Sequence, residues 1–224
     1  MVEVIERVTD GRRARWAEHR AERRAEFVAA GATAVDRYGA DVSAEQVAEV
    51  ALISRTVLYR YFRDRDDLRL AIAEHIVADL ASVTERAVKA REPRTSRQMI
   101  EGPVRQIVDW FDAYPHRHYF IRTQRSLANP DEAKNSFASS VTQTLRVSLA
   151  ILGIPEGEAL PTAHAIVGVI EYLAAWWLDD RTLSRDGITS VISDSIWHLI
   201  DGNLRGQGIV LDYDGPTPAP AIPL

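Results

Sequence analysis

The sequence predicts an all-α chain, with an N-terminal three-helix head followed by a larger C-terminal helical bundle. Three observations carry that prediction. Apolar residues recur at three- and four-residue spacing along most of the chain, and no segment shows the alternation of a half-buried strand. The breaks between periodic segments are short and hold Gly, Pro, Asn, Asp or Ser. After Arg91-Glu92-Pro93 the apolar faces grow larger, and every Trp except Trp16 lies beyond that point. At 224 residues the chain can bury a core without covalent staples.

The elements follow in order. Residues 1–11 show no clear period and read as a flexible arm. Residues 12–38 read as one helix, with Phe27, Val28, Gly31, Ala34, Val35 and Tyr38 on one stripe and Gly39 as its stop. Ser43 is placed to cap a short helix whose inner positions are Ala44, Val47, Ala48 and Ala51. A break at Leu52-Ile53 leads to a second short helix, from Ser54 to about Phe62, with Leu58 and Phe62 inward. Asp64 caps a long helix to about Ala90, with Leu68, Ile72, Ile76, Leu80 and Val83 on one face. Asp66 and Asp67 in its first turn suit the positive end of a helix dipole. Further helices are expected at about 96–113, 115–127, 130–152, 158–180 and 184–204. The Pro-rich tail, 207–224, cannot continue a helix near its end and is expected to be extended or disordered. The divisions are thus an arm at 1–11, a head at 12–63, a bundle at 64–206 entered through a connecting helix at 64–90, and the tail.

Composition excludes several functions. With no Cys there is no disulfide scaffold, Cys-ligated metal or thiol nucleophile. Charged residues crowd the first twenty positions, so no secretory signal is read. The longest apolar run, Ala165 to Leu178, is short and carries Glu171, so no membrane span is expected and a cytoplasmic location is. The net charge of −5 argues against general coating of nucleic acid, while leaving room for a local basic footprint. No Gly-rich phosphate loop, zinc-type His pair or nucleophile elbow is present, so neither catalysis nor a cofactor is expected. His116 and His118, two apart on a helix, do not share a face for a metal.

The informative segment is 43–62. Two short helices joined by a three- or four-residue break form a helix-turn-helix. With Leu58 and Phe62 inward, Arg55, Thr56, Tyr59 and Arg60 fall on the outer face of the second helix: two guanidinium groups, a phenol, a hydroxyl and no carboxylate. A major groove admits such a helix, Arg can donate a pair of hydrogen bonds to guanine, and Thr56 or Val57 can meet a thymine methyl. A solvated face is the plainer alternative. Residues 11–24 add six Arg against two Glu, although residues 1–78 hold 13 Arg and 14 acidic residues. Positive charge is therefore sorted by position rather than present in excess, and a duplex footprint needs only that.

The run Val47-Ala-Glu-Val-Ala-Leu-Ile-Ser-Arg-Thr-Val-Leu-Tyr-Arg-Tyr-Phe-Arg-Asp-Arg-Asp-Asp-Leu68 resembles the DNA-binding signature of TetR-type bacterial repressors. Its core is Ser54-Arg55, Leu58-Tyr59, Phe62, Arg65 and Leu68, and the resemblance covers roughly residues 12–80. The remainder matches as an all-helical ligand-binding and dimerisation domain. The resemblance implies a homodimer on a double-stranded, palindromic DNA operator, released by a small hydrophobic or amphipathic effector. It implies that Arg55, Thr56, Val57, Tyr59 and Arg60 face the groove, and that Ser43, Ser54, Tyr61 and Arg65 position the phosphate backbone. Arg12, Arg13 and Arg15 reach a neighbouring groove or phosphates, or else begin a solvated helix. Three positions depart from the family pattern. Leu52 stands where the turn usually holds Gly, and must turn left-handed or change the turn. Thr56-Val57 replaces a smaller pair, and Ala44 replaces a hydroxyl residue.

Further along, Trp110, Phe111, Tyr114, Phe120, Phe137, Tyr172 and Trp176 read either as bundle core or as the lining of an apolar cavity. Glu171 lies at an edge, pairs with an Arg or points into that cavity. Ile188, Val191, Ile192, Ile196 and Leu199 form a stripe that is core or half of a self-complementary interface. The resemblance favours the interface, with Ile166 and Ile170 on the partner helix. A helical carrier that does not read DNA is the competing functional reading, supported by Leu52 and the acidic net charge.

Overall fold

The computed structural model describes residues 2–89, 95–127, 142, 146, 149–150 and 153–216. Side chains are described from Trp16 to Arg86 except at 85, from Thr95 to Gln124, at 142, 146 and 149–150, and from Gly153 to Pro216. Most of the helix expected at 130–152, the candidate Phe137, the side chains of Arg12, Arg13 and Arg15, and the tail beyond 216 lie outside these residues. Among the described residues there are eight helices: α1 Val2–Tyr38, α2 Ala44–Val50, α3 Arg55–Leu58, α4 Arg65–Lys89, α5 Ser96–Ala113, α6 Pro115–Leu127, α7 Glu156–Asp180 and α8 Arg185–Gly206.

Two expectations are corrected at once. The segment expected as a loose arm, 1–11, continues α1 as helix from Val2. The second helix of the pair stops at Leu58 instead of reaching Phe62, and residues 59–61 continue as tight turns. There Arg60 and Tyr61 N–H groups bond Val57 and Leu58 carbonyls at 3.1 and 3.0 Å.

Local chemistry sets the head. Ser43 Oγ accepts the Gln46 N–H at 3.3 Å while Gln46 Oε1 accepts the Ser43 N–H at 2.8 Å, a complete capping box of roughly 1 kcal/mol. At the other end of α2, Ile53 N–H reaches back to Ala48 O at 3.0 Å and Leu52 N–H to Glu49 O at 3.1 Å. That is a Schellman ending, which needs the residue after the C-cap Ala51 left-handed, and Leu52 has φ 54. Asp64 Oδ1 caps α4 by accepting the Asp67 N–H at 2.8 Å. Phe27, Val35, Val47, Leu58, Phe62, Leu68 and Ile72 form the buried centre where α1, α2, α3 and α4 meet. α1 approaches α4 through Gly31, where an added Cβ would land inside the Ile72 side chain.

α4 leaves the head and packs on α5 and α6; α5 in turn lies against α7 and α8, which pair with one another. α7 is longer than the apolar run at its centre, and by length and composition alone it could cross a membrane. Here it packs one face, including Ala163, Ile166, Ala174 and Trp177, inside the bundle. After α8 the chain runs extended as a strap. Arg97 N–H bonds Tyr213 O at 2.8 Å and Ser96 N–H bonds Gly215 O at 3.1 Å, supplying acceptors at the start of α5. Tyr213 stacks on Trp197 with centroids 4.7 Å apart and donates to Asp194 at 3.0 Å.

Candidate nucleic-acid interface and effector cavity

Arg55, Thr56 and Arg60 are exposed, Val57 and Tyr59 are half-buried, and Leu58 and Phe62 are buried beneath them. Ser54 Oγ accepts the Val57 N–H at 3.4 Å, so it starts α3 as a cap. Arg65 is exposed. Tyr61 is half-buried, edge-on to Phe27 at 5.0 Å, with the Arg20 guanidinium 5.3 Å from its ring centre. Arg20 also donates to Arg60 O at 2.6 Å. This fixes the end of the recognition segment against α1. Arg24 lies 4.7 Å from the Phe62 ring centre and pairs with Asp67. Part of the basic cluster at 11–24 therefore braces the head, while Trp16 beyond it is 70 % exposed.

One partner was not read from the sequence. Glu45, at the start of α2, pairs with Arg55 at 2.6 Å, so the outer face has a carboxylate after all. A hydrogen bond from its own backbone N–H, and next the charge of Arg55, hold the Glu45 carboxyl below its ordinary range. The spacing of ten residues across a turn hides this pair from any periodicity argument.

In the body, a cavity of about 320 Å³ opens between α4, α5, α6 and α7. Leu80, Phe111, Ile121 and Ala175 give it an apolar wall, and His118, Arg122, Glu171 and Tyr172 give it a polar one. Of the aromatic candidates, Phe111 and Tyr172 line it, and so does Glu171. Trp110, Tyr114, Phe120 and Trp176 do not. Trp110 is buried and donates its Nε1–H to Asp79 at 3.1 Å. Tyr114 carries the Arg117 guanidinium on its ring at 4.2 Å. Phe120 is buried under Arg69, and Trp176 is exposed on α7.

No family model matches the chain. Over 219 residues it is 26% identical to uncharacterized HTH-type transcriptional regulators of Mycobacterium tuberculosis, covering 96% of this chain and 93% of theirs. A tetR-family transcriptional regulator from Streptomyces coelicolor superposes with a TM-score of 0.67 at 21% identity, over 83% of each chain. FadR from Bacillus subtilis, solved with stearoyl-CoA, gives 0.60 at 14% identity over 79% of this chain and 97% of its own. BioQ, solved with its DNA operator, gives 0.55 at 16% identity over 77% and 96%. The chain has the TetR-type fold.

In this fold the stripe expected at a dimer interface is largely covered within the single chain. Ile188, Ile192 and Ile196 are buried within the single chain, and so is Ile166 on α7. Their period marks an apolar face, and α5 and α7 already cover it. Ile170 and Leu199 are half-buried at its margin, while Val191 is 42 % exposed. On one side of α8 Val191, His198 and Gly202 are exposed and Ser195 is half-buried, and on one side of α7 Ala165, Tyr172 and Trp176 are exposed and Val169 is half-buried. Both sets follow i, i+4, i+7, i+11 spacing, a single helical face.

Two further functional candidates were invisible to sequence reading. Arg69 is buried at 6 % exposure, donates to Ala40 O, Val42 O and Gln124, and lies over Phe120. Burial, and then the charge of Arg65, lower its pKa. Arg117 grips Asp36 and Asp79. Desolvation would lower its pKa, but the Asp36 hydrogen bond and the charges of Asp36 and Asp79 raise it. The sequence separations of 27 to 81 residues carry no local signal.

Proposed function

We propose that this chain is a ligand-responsive transcriptional repressor that binds a palindromic operator as a homodimer inside the cell. The observation that carries the reading is the outward face of α3 and the turn after it: Arg55, Thr56, Tyr59 and Arg60 clustered over a buried Leu58 and Phe62. Arg55 and Arg60 offer paired donors to guanine edges, and Thr56 and Val57 offer methyl groups to thymine. Ser43, Ser54, Tyr61 and Arg65, with Arg12, Arg13 and Arg15 along α1, serve the phosphate backbone. Two such heads related by a twofold axis enter successive major grooves about 34–36 Å apart.

The cavity beside α6 is the effector site, with Phe111, Glu171 and Tyr172 among its contacts. Its mixed wall fits a small amphipathic molecule, and about 320 Å³ is near the lower end of ligand-pocket volumes. An effector that favours the non-binding state by about 100-fold contributes about 2.7 kcal/mol per site, which releases most operators when both sites fill.

The test is binding to duplex fragments taken from upstream of the chain's own gene, against random duplex, between about 50 and 200 mM salt. Selective binding that falls steeply with salt supports the repressor. Absent or salt-insensitive binding overturns it in favour of a helical carrier.

A further inference from the structure

We propose that Arg117 is the positioning residue through which α6 transmits the state of the cavity to the DNA-facing head. The proposal rests on the reading of cavity and head given above. Arg117 Nε and Nη2 each lie 2.8 Å from an Asp36 carboxylate oxygen, a two-pronged grip on α1 two residues before its end. Its remaining nitrogen, Nη1, bonds Asp79 of α4 at 2.9 Å. Asp79 is held in turn by Trp110, and the guanidinium lies on the Tyr114 ring, with only 14% of its side chain exposed. A half-buried fork of this kind is specific in direction as well as strong, because the planar group and the carboxylate fit in one arrangement.

The same helix touches the head at two more places. His116 Nδ1 lies 3.1 Å from Asp36 O. One turn further on, Gln124 and Phe120 meet Arg69, whose other donors hold the carbonyls of Ala40 and Val42 in the turn that leads into α2. These contacts occupy one side of α6. At 100° per residue, His118, Ile121 and Arg122 occupy another, and those three line the cavity. Whatever displaces the cavity side of α6 must therefore carry Asp36 with it or break the fork. If Asp36 is carried, the end of α1 and the turn before α2, on which α3 is carried, move with it; if the fork breaks, they are released. Arg117 touches neither DNA nor the cavity, so its part is positional.

A steric mimic tests this without knowledge of the effector. Gly168 lines the cavity, and a Cβ there meets nothing within 4 Å, so Gly168→Phe can place a ring in the space. The readout is amide hydrogen exchange of residues 36–42 and of α6, in the full chain without DNA. In an otherwise unaltered chain, Gly168→Phe is expected to speed exchange at 36–42 by about tenfold. In Arg117→Met, exchange at 36–42 is already raised, and adding Gly168→Phe changes α6 but not 36–42. Arg117→Lys, which keeps the charge and loses the fork, is expected to match Arg117→Met. Should Arg117→Met fail to fold, Asp36→Asn carries the same comparison. The proposal is overturned if Gly168→Phe alters 36–42 equally with and without Arg117, or leaves 36–42 unmoved while α6 changes. Failure to bind any operator would sink the repressor reading and leave this result standing, so the two failures are distinguishable.

Discussion

Leu52 holds φ 54 with its side chain 92 % exposed. A left-handed Leu costs about 1–2 kcal/mol, and nothing its side chain touches offsets that. Replacing it with Gly removes the strain and adds roughly 0.5–1 kcal/mol of unfolded-state freedom. Leu52→Gly is therefore expected to stabilise the chain by about 0.5–1 kcal/mol in urea unfolding, and Leu52→Ala to stay within about 0.5 kcal/mol. Destabilisation by Leu52→Gly would mean that the side chain does something in the folded state that its exposure hides. In the proposed complex the Glu45 carboxylate holds the Arg55 guanidinium that would read guanine, and it repels the duplex. Glu45→Gln is expected to tighten binding to any duplex several-fold and to narrow the gap between operator and random DNA, read by titration at fixed salt. Because the Glu45 pKa lies below its ordinary value, whatever the pair contributes is present above the ordinary carboxylate range and is lost only as pH falls through the lowered value. Arg60→Ala is expected to cost about 1–3 kcal/mol of operator affinity and to relax preference at the base it meets; unchanged discrimination would remove it as a base reader.

Among the elements, the α1–α4 contact and the strap make separate predictions. Gly31→Ala pushes a methyl group into the fully buried Ile72. Overpacking of about 1–3 kcal/mol outweighs the roughly 1 kcal/mol that Ala brings to a helix, and pairing the change with Ile72→Val recovers part of the loss in thermal melts. The strap has a pH signature. Burial, then the hydrogen bond to Asp194, push the Tyr213 phenol up to about 12. Its folded pKa exceeds the unfolded value, so its contribution is complete below about pH 10 and disappears as pH rises through about 12. Trp197 fluorescence should change over that window in the native chain and stay flat in Tyr213→Phe. These elements also show what sequence could tell. The limits of α5 and α6 were legible because Thr95 caps the first and Pro115 opens the second, and caps are local. The early end of α3 was not, because residues 59–61 change bonding pattern without changing composition. Of the nine residues that line the cavity, only Phe111 and Tyr172 were legible as aromatic content, and Glu171 as a carboxylate in an apolar run. The choice of Phe111 over Trp110 depends on which way one helix faces, and Arg117 with Asp36 depends on packing between segments 81 residues apart.

For the whole molecule, in the proposed homodimer, the question is which face meets the second copy. The stripe Ile188, Val191, Ile192, Ile196 and Leu199 reads as core or interface, and only the family resemblance favours the interface, because period records that a face is covered and not what covers it. In the fold that face is spent on α5 and α7. Ile196→Asp would therefore bury an unpaired charge inside one chain and unfold it, with a loss of about 3–5 kcal/mol, and would say nothing about assembly. Val191, beside Ser195 and Gly202, lies on the uncovered face, where small residues let a second helix pair come close. Val191→Glu leaves the single chain within about 0.5 kcal/mol of its stability, because the side chain is exposed there. In a dimer joined through this face it places two carboxylates against each other across the twofold axis. The expected result is a sedimentation coefficient that falls from dimer to monomer with unchanged circular dichroism. Operator affinity then falls by far more than one contact could explain, since a single head loses the second groove. A dimer that survives Val191→Glu would move the interface away from α8. The roughly 34–36 Å spacing of the two recognition helices would then need another twofold axis to set it.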